Sequence, residues 1–406
     1  MLTARRLGKR YGEKRVLRGI DLALPRGGFL VVTGPNGSGK TTLLRICAGL
    51  AQPTEGTIER SVTRGQVGYL GHEPLVYREL TALENLELYG RLYRVPERRE
   101  RIGMLLERFG LWEARHDRVS SYSRGMTQRL ALCRVLLHEP ELLLLDEPYS
   151  ALDEAGAALL DEQLRELRGE RTFLLHARPG ARPTSHEWGV RARDMSYVRD
   201  VAALARKDLL LELRARDTLP AMLLFVASVF VVFHFAVPGT PSKLETSGLL
   251  WVAILFTALL GLGRAFVPER EQRTMDGLVL APCDRSAIWL AKSLATLAFL
   301  VAAEVVALPL YALFFHRVGG ATIAAVLLAD LGICGVGTFL GAMAVVTRAR
   351  DLLLPLLFLS LVLSIVVGAV GASVVASPGR YLGFLALYDL LFGVVCWASF
   401  EYVVAE

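Results

Sequence analysis

The fold of the first half of the chain is decided by residues 29–50, which read FLVVTGPNGSGKTTLLRICAGL. A short β-rich run is followed by a glycine-rich loop, and the loop opens into a segment of helical character. The loop matches the pattern G-x-x-x-x-G-K-[ST] in the strand–loop–helix context that the pattern requires. Its glycines let backbone N–H groups close around phosphate oxygens, and the helix N-terminus adds a partial positive charge. The stretch therefore predicts a phosphate-binding loop.

Individual residues of this loop have distinct expected roles. The Lys40 amine can reach the β- and γ-phosphates of ATP, and the Thr41 hydroxyl can hold Mg²⁺. We expect the loop and the first helical turn to bind the nucleotide together. The predicted nucleotide-binding residues are Gly34, Pro35, Asn36, Gly37, Ser38, Gly39, Lys40, Thr41 and Thr42.

A second apolar run, ELLLLDEP (141–148), shows no polar alternation and predicts a buried strand of a parallel sheet. Asp146 ends this run, where a carboxylate is costly without a partner, and Mg²⁺ is the partner we expect. Glu147 follows and is the predicted catalytic base, placed to orient or deprotonate the attacking water.

Further segments fit the same pattern of alternating strands and helices. RTFLL (171–175) predicts a third buried strand, and residues 80–94 and 100–112 carry helical periodicity. The first half of the chain is therefore expected to be an α/β domain with parallel core strands.

Charge is distributed unevenly along the 406 residues. Of the first 218 residues 65 are charged, against 21 of the last 188, although 53% of the whole chain is hydrophobic. This division excludes a wholly soluble enzyme, a disordered protein and a secreted disulfide scaffold. It indicates a water-soluble part joined to a membrane part, and no nucleic-acid partner is expected.

Six apolar segments of the second half approach the ~20 residues that a bilayer requires. If the N-terminus is inside, the inner flanks carry eleven Lys and Arg residues and the outer loops carry three, so we expect both termini in the cytoplasm. Residues 201–217 are amphipathic and basic, which favours a helix in the membrane interface over an ordinary solvated helix. The predicted spans are roughly 219–237, 248–267, 288–315, 320–346, 352–375 and 381–404.

With these elements in place, the chain resembles the ATP-binding-cassette (ABC) ATPases. Ser123-Arg-Gly125-Met-Thr-Gln-Arg is similar to the LSGGQ signature but departs from it at Tyr122 and Met126. Ser123 and Gly125 keep the hydroxyl and the bare backbone that would touch a γ-phosphate. The resemblance also implies that Tyr11 stacks on adenine, with core packing as the alternative, and that Asp153 belongs to the D-loop.

Two catalytic positions differ from the family pattern. His72, in YLGHEP, occupies the place where such proteins usually carry a glutamine that senses Mg²⁺ and water. The expected switch histidine is His176, about two residues earlier than usual after the strand, and His186 is the other candidate. The family's C-terminal strands of the cassette also look shortened between 178 and 200.

The second half resembles a more specific family, the CcmB-like permeases of the cytochrome c maturation (Ccm) system. The resemblance is carried by PEREQRTMDGLVLAPCDRS (268–286) and by the entry segment RKDLLLELRARDTLPAML (206–223). We expect the first of these to be a cytoplasmic coupling loop, with a turn at Asp276-Gly277 and a break at Pro282, rather than a solvated loop. The coupling residues are then Glu269, Arg270, Arg273, Asp276 and Gly277.

The first half is similar to the ATP-binding protein of the same Ccm system, so the chain looks like a natural fusion of ATPase and permease. The expected fold is an α/β P-loop ABC ATPase domain (1–195), a linker with an interfacial amphipathic helix (196–218) and an all-α six-helix transmembrane domain (219–406). The resemblance implies an ATPase in the bacterial inner membrane that forms a homodimer around two ATP molecules, contacts lipid, and works with Ccm subunits C and D and haem chaperone E. The alternatives are an ABC exporter of haem or another small molecule, and a scaffold with a decayed ATPase.

Two carboxyl groups, those of Glu304 and Asp330, fall inside predicted spans. A charge at the centre of a bilayer costs about 2.5–3.5 kcal/mol on insertion scales, so we expect each to face protein or a cavity. A proton, the other carboxyl group and a partner subunit all remain possible partners. Gly337 and Gly341, four residues apart, indicate close packing of the fourth span against a neighbour.

Overall fold

The computed structural model describes residues 1–35, 37–150, 152, 154–167, 171–176, 197–215, 218–237, 241–346 and 350–405. The chain divides into two compact units. The first is built mainly of Met1–Ala203 and Glu269–Cys283, and the second of Leu204–Pro268 and Asp284–Val404. The segment predicted as a coupling loop therefore belongs to the same unit as the phosphate loop. The domain boundary predicted at residue 195 lies outside the described residues.

Strands and helices alternate through the first part of the chain. Their bounds in chain order are β1 (Leu2–Tyr11), β2 (Lys14–Leu24), β3 (Phe29–Val32), α1 (Lys40–Ala48), β4 (Glu55–Arg60), β5 (Val67–Leu70), α2 (Ala82–Leu92), α3 (Arg98–Arg108), α4 (Arg124–Leu136), β6 (Leu142–Asp146), α5 (Glu154–Glu166), β7 (Thr172–His176) and α6 (Tyr197–Ala215).

The three apolar runs identified in the sequence form one parallel sheet together with β5, which the sequence analysis did not identify, and the strand order is β3-β7-β6-β5. Val32 and Asp146, the last residues of β3 and β6, both pair in register with His176 of β7. Because parallel strands end at the same edge of a sheet, this register brings the ends of β3 and β6 to either side of β7. The α/β fold predicted from the sequence is confirmed.

A second sheet, antiparallel with order β2-β1-β4, was not predicted. The register of β1 shifts against both β2 and β4, which marks β-bulges. A bulge adds a residue on one strand and breaks the period-2 alternation by which a half-buried strand is recognised. The sequence LTARRLGKRY therefore lacks the regular alternation that would predict a strand.

Helix α1 is buried in one hydrophobic core between the two sheets. Leu44 and Ile46 of α1 are fully buried, and the core also takes Leu7 from β1 and Leu144 from β6. Leu280, from the segment after the second predicted span, is a member of the same core and is 1% exposed. The segment 269–283 is thus partly held by apolar burial, which is the main stabilising term for such contacts.

The second unit is helical. The described part of the chain holds six helices long and apolar enough to cross a membrane, as predicted, and two short helices interrupt them. Their bounds are α7 (Thr218–Ala236), α8 (Lys243–Arg264), α9 (Val267–Glu271), α10 (Met275–Leu280), α11 (Arg285–Phe314), α12 (Gly320–Val346), α13 (Arg350–Val374) and α14 (Gly379–Ala405). Helix α8 begins five residues before the predicted span because Ser242 and Glu245 form a capping box there.

Small residues let the apolar helices approach closely, as expected for the fourth span. A side chain at Gly337 of α12 would meet Leu262 of α8, and one at Gly341 would meet Phe266. In an apolar solvent, helices associate through this kind of close contact rather than through the hydrophobic effect.

The prediction of a turn at Asp276-Gly277 is wrong. Both residues lie inside α10, and the change of direction comes earlier, at Arg273, whose φ is +51°. Glycine is needed at 277 for a packing reason, because a Cβ there would meet the Tyr89 hydroxyl. Pro282 follows the end of α10, as expected for a helix breaker.

We expect Leu44→Ala to destabilise the first unit by about 2–5 kcal/mol, because the side chain is fully buried and its loss leaves a cavity. The measurement is the thermal unfolding midpoint of the full chain in detergent. Met104→Ala is the matched control, since Met104 is 53% exposed. An equal shift in both variants would contradict this account of the core.

Candidate nucleotide site

The phosphate loop has a backbone that only glycine adopts without strain. Gly37 and Gly39 have φ values of +79° and +93°. A Cβ at Gly39 would also meet the side chains of Leu17 and Val16, so the loop lies directly against β2. The predicted residue Asn36 lies outside the described residues, and Pro35 accepts a hydrogen bond from the Ser38 N–H at 3.2 Å.

The Lys40 amine is folded over the loop. It donates to the carbonyl oxygens of Gly34 at 2.8 Å and Pro35 at 2.7 Å, and the side chain is buried. Lys40 is also the first residue of α1, so its charge and the positive end of the helix dipole coincide. Thr41 and Thr42 follow in the first turn. The loop can therefore hold an anion with several phosphate oxygens.

The carboxylates predicted for catalysis lie at the edge where the parallel strands end. Asp146 is the last residue of β6 and is 3% exposed, and β6 packs against α1, which carries Thr41. Glu147 follows with a φ of +48°, a conformation that a non-glycine residue rarely adopts and that costs about 1–3 kcal/mol. The left-handed backbone at Glu147 ends the strand directly after Asp146.

The donor set fits Mg²⁺. A threonine hydroxyl and an aspartate carboxylate are hard oxygen ligands, and Mg²⁺ is usually held by one or two carboxylates together with water and substrate phosphates. In the described part of the chain no group of three or more His, Cys, Asp or Glu side chains forms a closed metal cluster. An open site completed by ATP matches these residues better than an all-protein cage.

The signature segment begins helix α4, and this helix is hydrogen-bonded to the chain next to Glu147. Ser123 is the N-cap of α4, is exposed, and accepts a hydrogen bond from the Met126 N–H at 3.2 Å. Gly125 is partly exposed in the first turn. Further along α4, the buried Gln128 donates to the Pro148 carbonyl at 3.4 Å, directly after Glu147. The N-terminus of α4 therefore presents the Ser123 hydroxyl and the Gly125 backbone to solvent. The same helix contacts the chain directly after Glu147.

Of the remaining predicted site residues, His72 and His176 lie at or just after the ends of strands of the parallel sheet, and Tyr11 ends β1 of the antiparallel sheet. Tyr11 is 50% exposed, and the Lys9 amine lies 5.0 Å from its ring centre. His72 is exposed in the loop after β5. His176 ends β7 between Val32 and Asp146, whereas its side chain, Asp153 and His186 lie outside the described residues. The roles of these residues remain predictions.

The predicted coupling residues lie against the nucleotide-binding part of the first unit. Arg45, in the last turn of α1, forms an ion pair with Asp276 in which the two terminal guanidinium nitrogens, Nη1 and Nη2, each donate to a carboxylate oxygen. Burial disfavours the charged guanidinium, but the hydrogen bond and charge of Asp276 outweigh it and raise the pKa of Arg45. The helix that begins at the phosphate loop therefore ends on the segment 269–283.

Three further polar contacts fix this segment, and no sequence pattern indicated their partners. Arg273 pairs with Glu73 at 2.9 Å, directly after His72. The Tyr77 hydroxyl donates to the buried Glu269 carboxylate at 3.3 Å, and the Arg78 N–H donates to Gln272 at 2.8 Å. Arg270, by contrast, is exposed. The loop 72–78 is therefore the second contact surface, and it begins at the position predicted to sense Mg²⁺.

The fold and the site define an ATPase domain of the ABC class. The model of the ABC transporter family matches residues 17–150, and the model of the CcmB protein family matches residues 199–400. The chain therefore belongs to the ABC transporter family and joins, in one polypeptide, an ATP-binding domain and a multi-pass CcmB domain. The fusion predicted from the sequence is confirmed.

Curated relatives match the first half. An uncharacterized ABC transporter ATP-binding protein, YxlF of Bacillus subtilis, is 42% identical over 174 residues, or 41% of this chain and 59% of that protein. The daunorubicin resistance ATP-binding protein DrrA3 of Streptomyces coeruleorubidus is 43% identical over 178 residues, 41% of this chain and 56% of that protein. This chain thus spans less than three fifths of the length of either.

The cytochrome c biogenesis ATP-binding export protein CcmA of Cupriavidus pinatubonensis is 37% identical over 179 residues, 41% of this chain and 79% of that protein. Among solved structures, the ATP-binding subunit of an ABC transporter is similar with 28% identity and a TM-score of 0.42, covering 44% of this chain and 79% of that one.

We expect Glu147→Gln to keep ATP binding and to lower hydrolysis by about 10²–10⁴-fold, because the amide cannot accept a proton from water. Lys40→Ala should lose ATP binding itself. Nucleotide binding and phosphate release measured on the full chain separate the two outcomes. Glu13→Gln is the control, since that carboxylate is exposed in the hairpin before β2. If Glu147→Gln released phosphate at the wild-type rate, Glu147 would not be the catalytic base.

Proposed function

We propose that this chain is an Mg²⁺-dependent ATPase of the cytochrome c maturation system, in which ATP hydrolysis drives release of the haem-loaded chaperone at the membrane. The observation that carries the proposal is the contact between Arg45 of the phosphate-loop helix and Asp276, a residue within the CcmB match.

Helix α1 supplies the coupling path. Its nine residues span about 13 Å, from Lys40 at the phosphate end to the turn that carries Arg45. A helix moves as a rigid element, so a shift of its first turn on nucleotide closure is transmitted to its last turn. The loop 72–78 provides a parallel path, because Glu73 and Tyr77 contact the same segment next to His72.

The chemistry assigned to the site follows from its donors. Thr41 and Asp146 would hold Mg²⁺, which supplies charge neutralisation on the phosphates when bound. Lys40 and the loop N–H groups bind and orient the β- and γ-phosphates, and Glu147 accepts the proton of the attacking water. His176 is assigned the switch role and His72 the sensor role.

The active form is proposed to be a homodimer with two ATP molecules. One chain carries one phosphate loop and one signature segment, and the exposed Ser123 and Gly125 at the N-terminus of α4 suit the γ-phosphate held by a second copy. Each ATP would then lie between the loop of one protomer and the signature of its partner.

The proposed location is the bacterial inner membrane, with the ATPase domain in the cytoplasm. The excess of Lys and Arg at the flanks expected inside supports this orientation. Ccm subunits C and D and the chaperone E are the proposed partners, since the CcmB match covers the membrane domain from residue 199 to residue 400.

A conventional exporter of haem or another small molecule is the second candidate. It is favoured by the similarity to DrrA3, whose identity to the ATPase half is higher than that of CcmA. The ATPase half therefore does not distinguish the two candidates, and the CcmB match of the membrane half favours cytochrome c maturation.

The Arg45–Asp276 pair offers a direct test of coupling. Arg45→Asp and Asp276→Arg should each preserve ATP binding and lower cytochrome c yield in cells, whereas the double variant that exchanges the charges should recover much of the loss. Cytochrome c is measured by haem staining, and ATPase activity on the purified chain.

The matched control is the Arg15–Glu55 pair of the same unit, where both side chains are more than 40% exposed. Exposed ion pairs contribute about 0–1 kcal/mol, so Arg15→Glu should leave both readouts unchanged. If the Arg45→Asp variant and the Asp276→Arg variant both gave the wild-type yield of cytochrome c, the coupling role of this pair would be wrong.

The two candidate functions separate in a second experiment. Cells whose only ATPase of this pathway is Glu147→Gln should accumulate haem-loaded chaperone and lack c-type cytochromes. The reconstituted wild-type chain alone should show no ATP-dependent uptake of haem into inverted vesicles. Uptake by this chain without partners, together with normal cytochrome c in the Glu147→Gln strain, favours the exporter.

A further inference from the structure

Two carboxyl groups meet inside the second unit. Glu304 on α11 is 5% exposed and Asp330 on α12 is 0% exposed, and the two helices pack directly against each other. The two side chains lie within hydrogen-bonding range of one another. The sequence left three possible partners open for each carboxyl group, and in the structure the other carboxyl group is one of them.

Nothing basic among the described residues compensates this pair. In the described part of the chain, neither residue forms an ion pair, and no N–H or O–H of another residue reaches either Asp330 oxygen or Oε1 of Glu304. An isolated charge in such a place is costly, and two adjacent negative charges repel each other in addition. The two groups can only remain in contact if a proton lies between them.

The surroundings contain few other titratable groups. Cys334 lies one turn after Asp330 on α12, and Asp389 of α14 lies against α12 at Gly332. On the side of α7 and α8, Glu304 lines a small crevice that is otherwise apolar except for Thr257, whose hydroxyl already donates to Ala253 at 2.7 Å. The side chains of Arg350 and Asp351, at the start of α13, are outside the described part.

We propose that Glu304 and Asp330 form a proton-binding site in the membrane domain, in which one carboxyl donates its O–H to the carboxylate of the other. The shared proton leaves one negative charge spread over two groups. A metal ion fits less well, because the other ligands of a hard cation would have to be water or polar groups, and the crevice beside Glu304 is apolar apart from Thr257. The site belongs to α11 and α12 jointly, so the shared proton stabilises the packing of these two helices against each other.

This inference does not depend on the proposed role in cytochrome c maturation. It rests on two buried residues of the membrane domain and holds for an exporter equally. Its test therefore uses protonation, not cytochrome c yield, as the readout.

Infrared spectroscopy of the full chain in detergent provides the first measurement. The wild type should show a carbonyl band of a protonated carboxylic acid at neutral pH that shifts in D₂O. The Glu304→Gln/Asp330→Asn double variant should lose the component of that band that the pair contributes, whereas Asp389→Asn should keep that component. An unchanged band in the double variant, or no such band in the wild type, overturns the proposal.

Carbodiimide labelling of the wild type provides an independent measurement and needs no variant to fold. Dicyclohexylcarbodiimide, an apolar reagent, adds to protonated carboxyl groups, so mass spectrometry should locate the label on Glu304 or Asp330. The label should decrease as the pH is raised and should be insensitive to Na⁺ or Ca²⁺ at constant pH. Absence of label at both residues, or protection by either cation, counts against a shared proton.

Discussion

Helix α1 is the element on which the two chemically active parts of the first unit depend. Its N-terminus carries Lys40 and the phosphate loop, and its last turn carries Arg45, which holds Asp276. The buried side chains of Leu44 and Ile46 anchor the helix in the core. Burial therefore fixes one face of α1, while Lys40 holds the loop and Arg45 holds the segment 269–283.

The two ion pairs of the segment 269–283 are not equivalent. Arg273 is 70% exposed, so its contact with Glu73 is screened by solvent and contributes little to stability. The Arg45–Asp276 pair is about one third exposed and makes two contacts, and Leu280 of the same segment is buried in the core. The less exposed contacts therefore hold the segment more firmly than the Arg273–Glu73 pair does.

Polar groups in the membrane domain follow a different rule from those of the first unit. Arg45 and Asp276 satisfy each other with opposite charges, whereas Glu304 and Asp330 have the same charge and need a proton. In an apolar environment the second arrangement costs free energy unless a proton neutralises one of the two charges.

The sequence by itself determined the phosphate loop, the buried strand that ends at Asp146, and six apolar helices, because each depends on short-range pattern and on residue chemistry. It missed β1, whose bulges disturb the alternation, and it misplaced the turn at Asp276-Gly277, where a glycine serves contact with Tyr89. Only the tertiary structure decided that Arg45 meets Asp276 and that Glu304 meets Asp330, since the partners lie 231 and 26 positions apart along the chain. Contacts of this kind arise when separate elements pack, and no local spacing of residues encodes them.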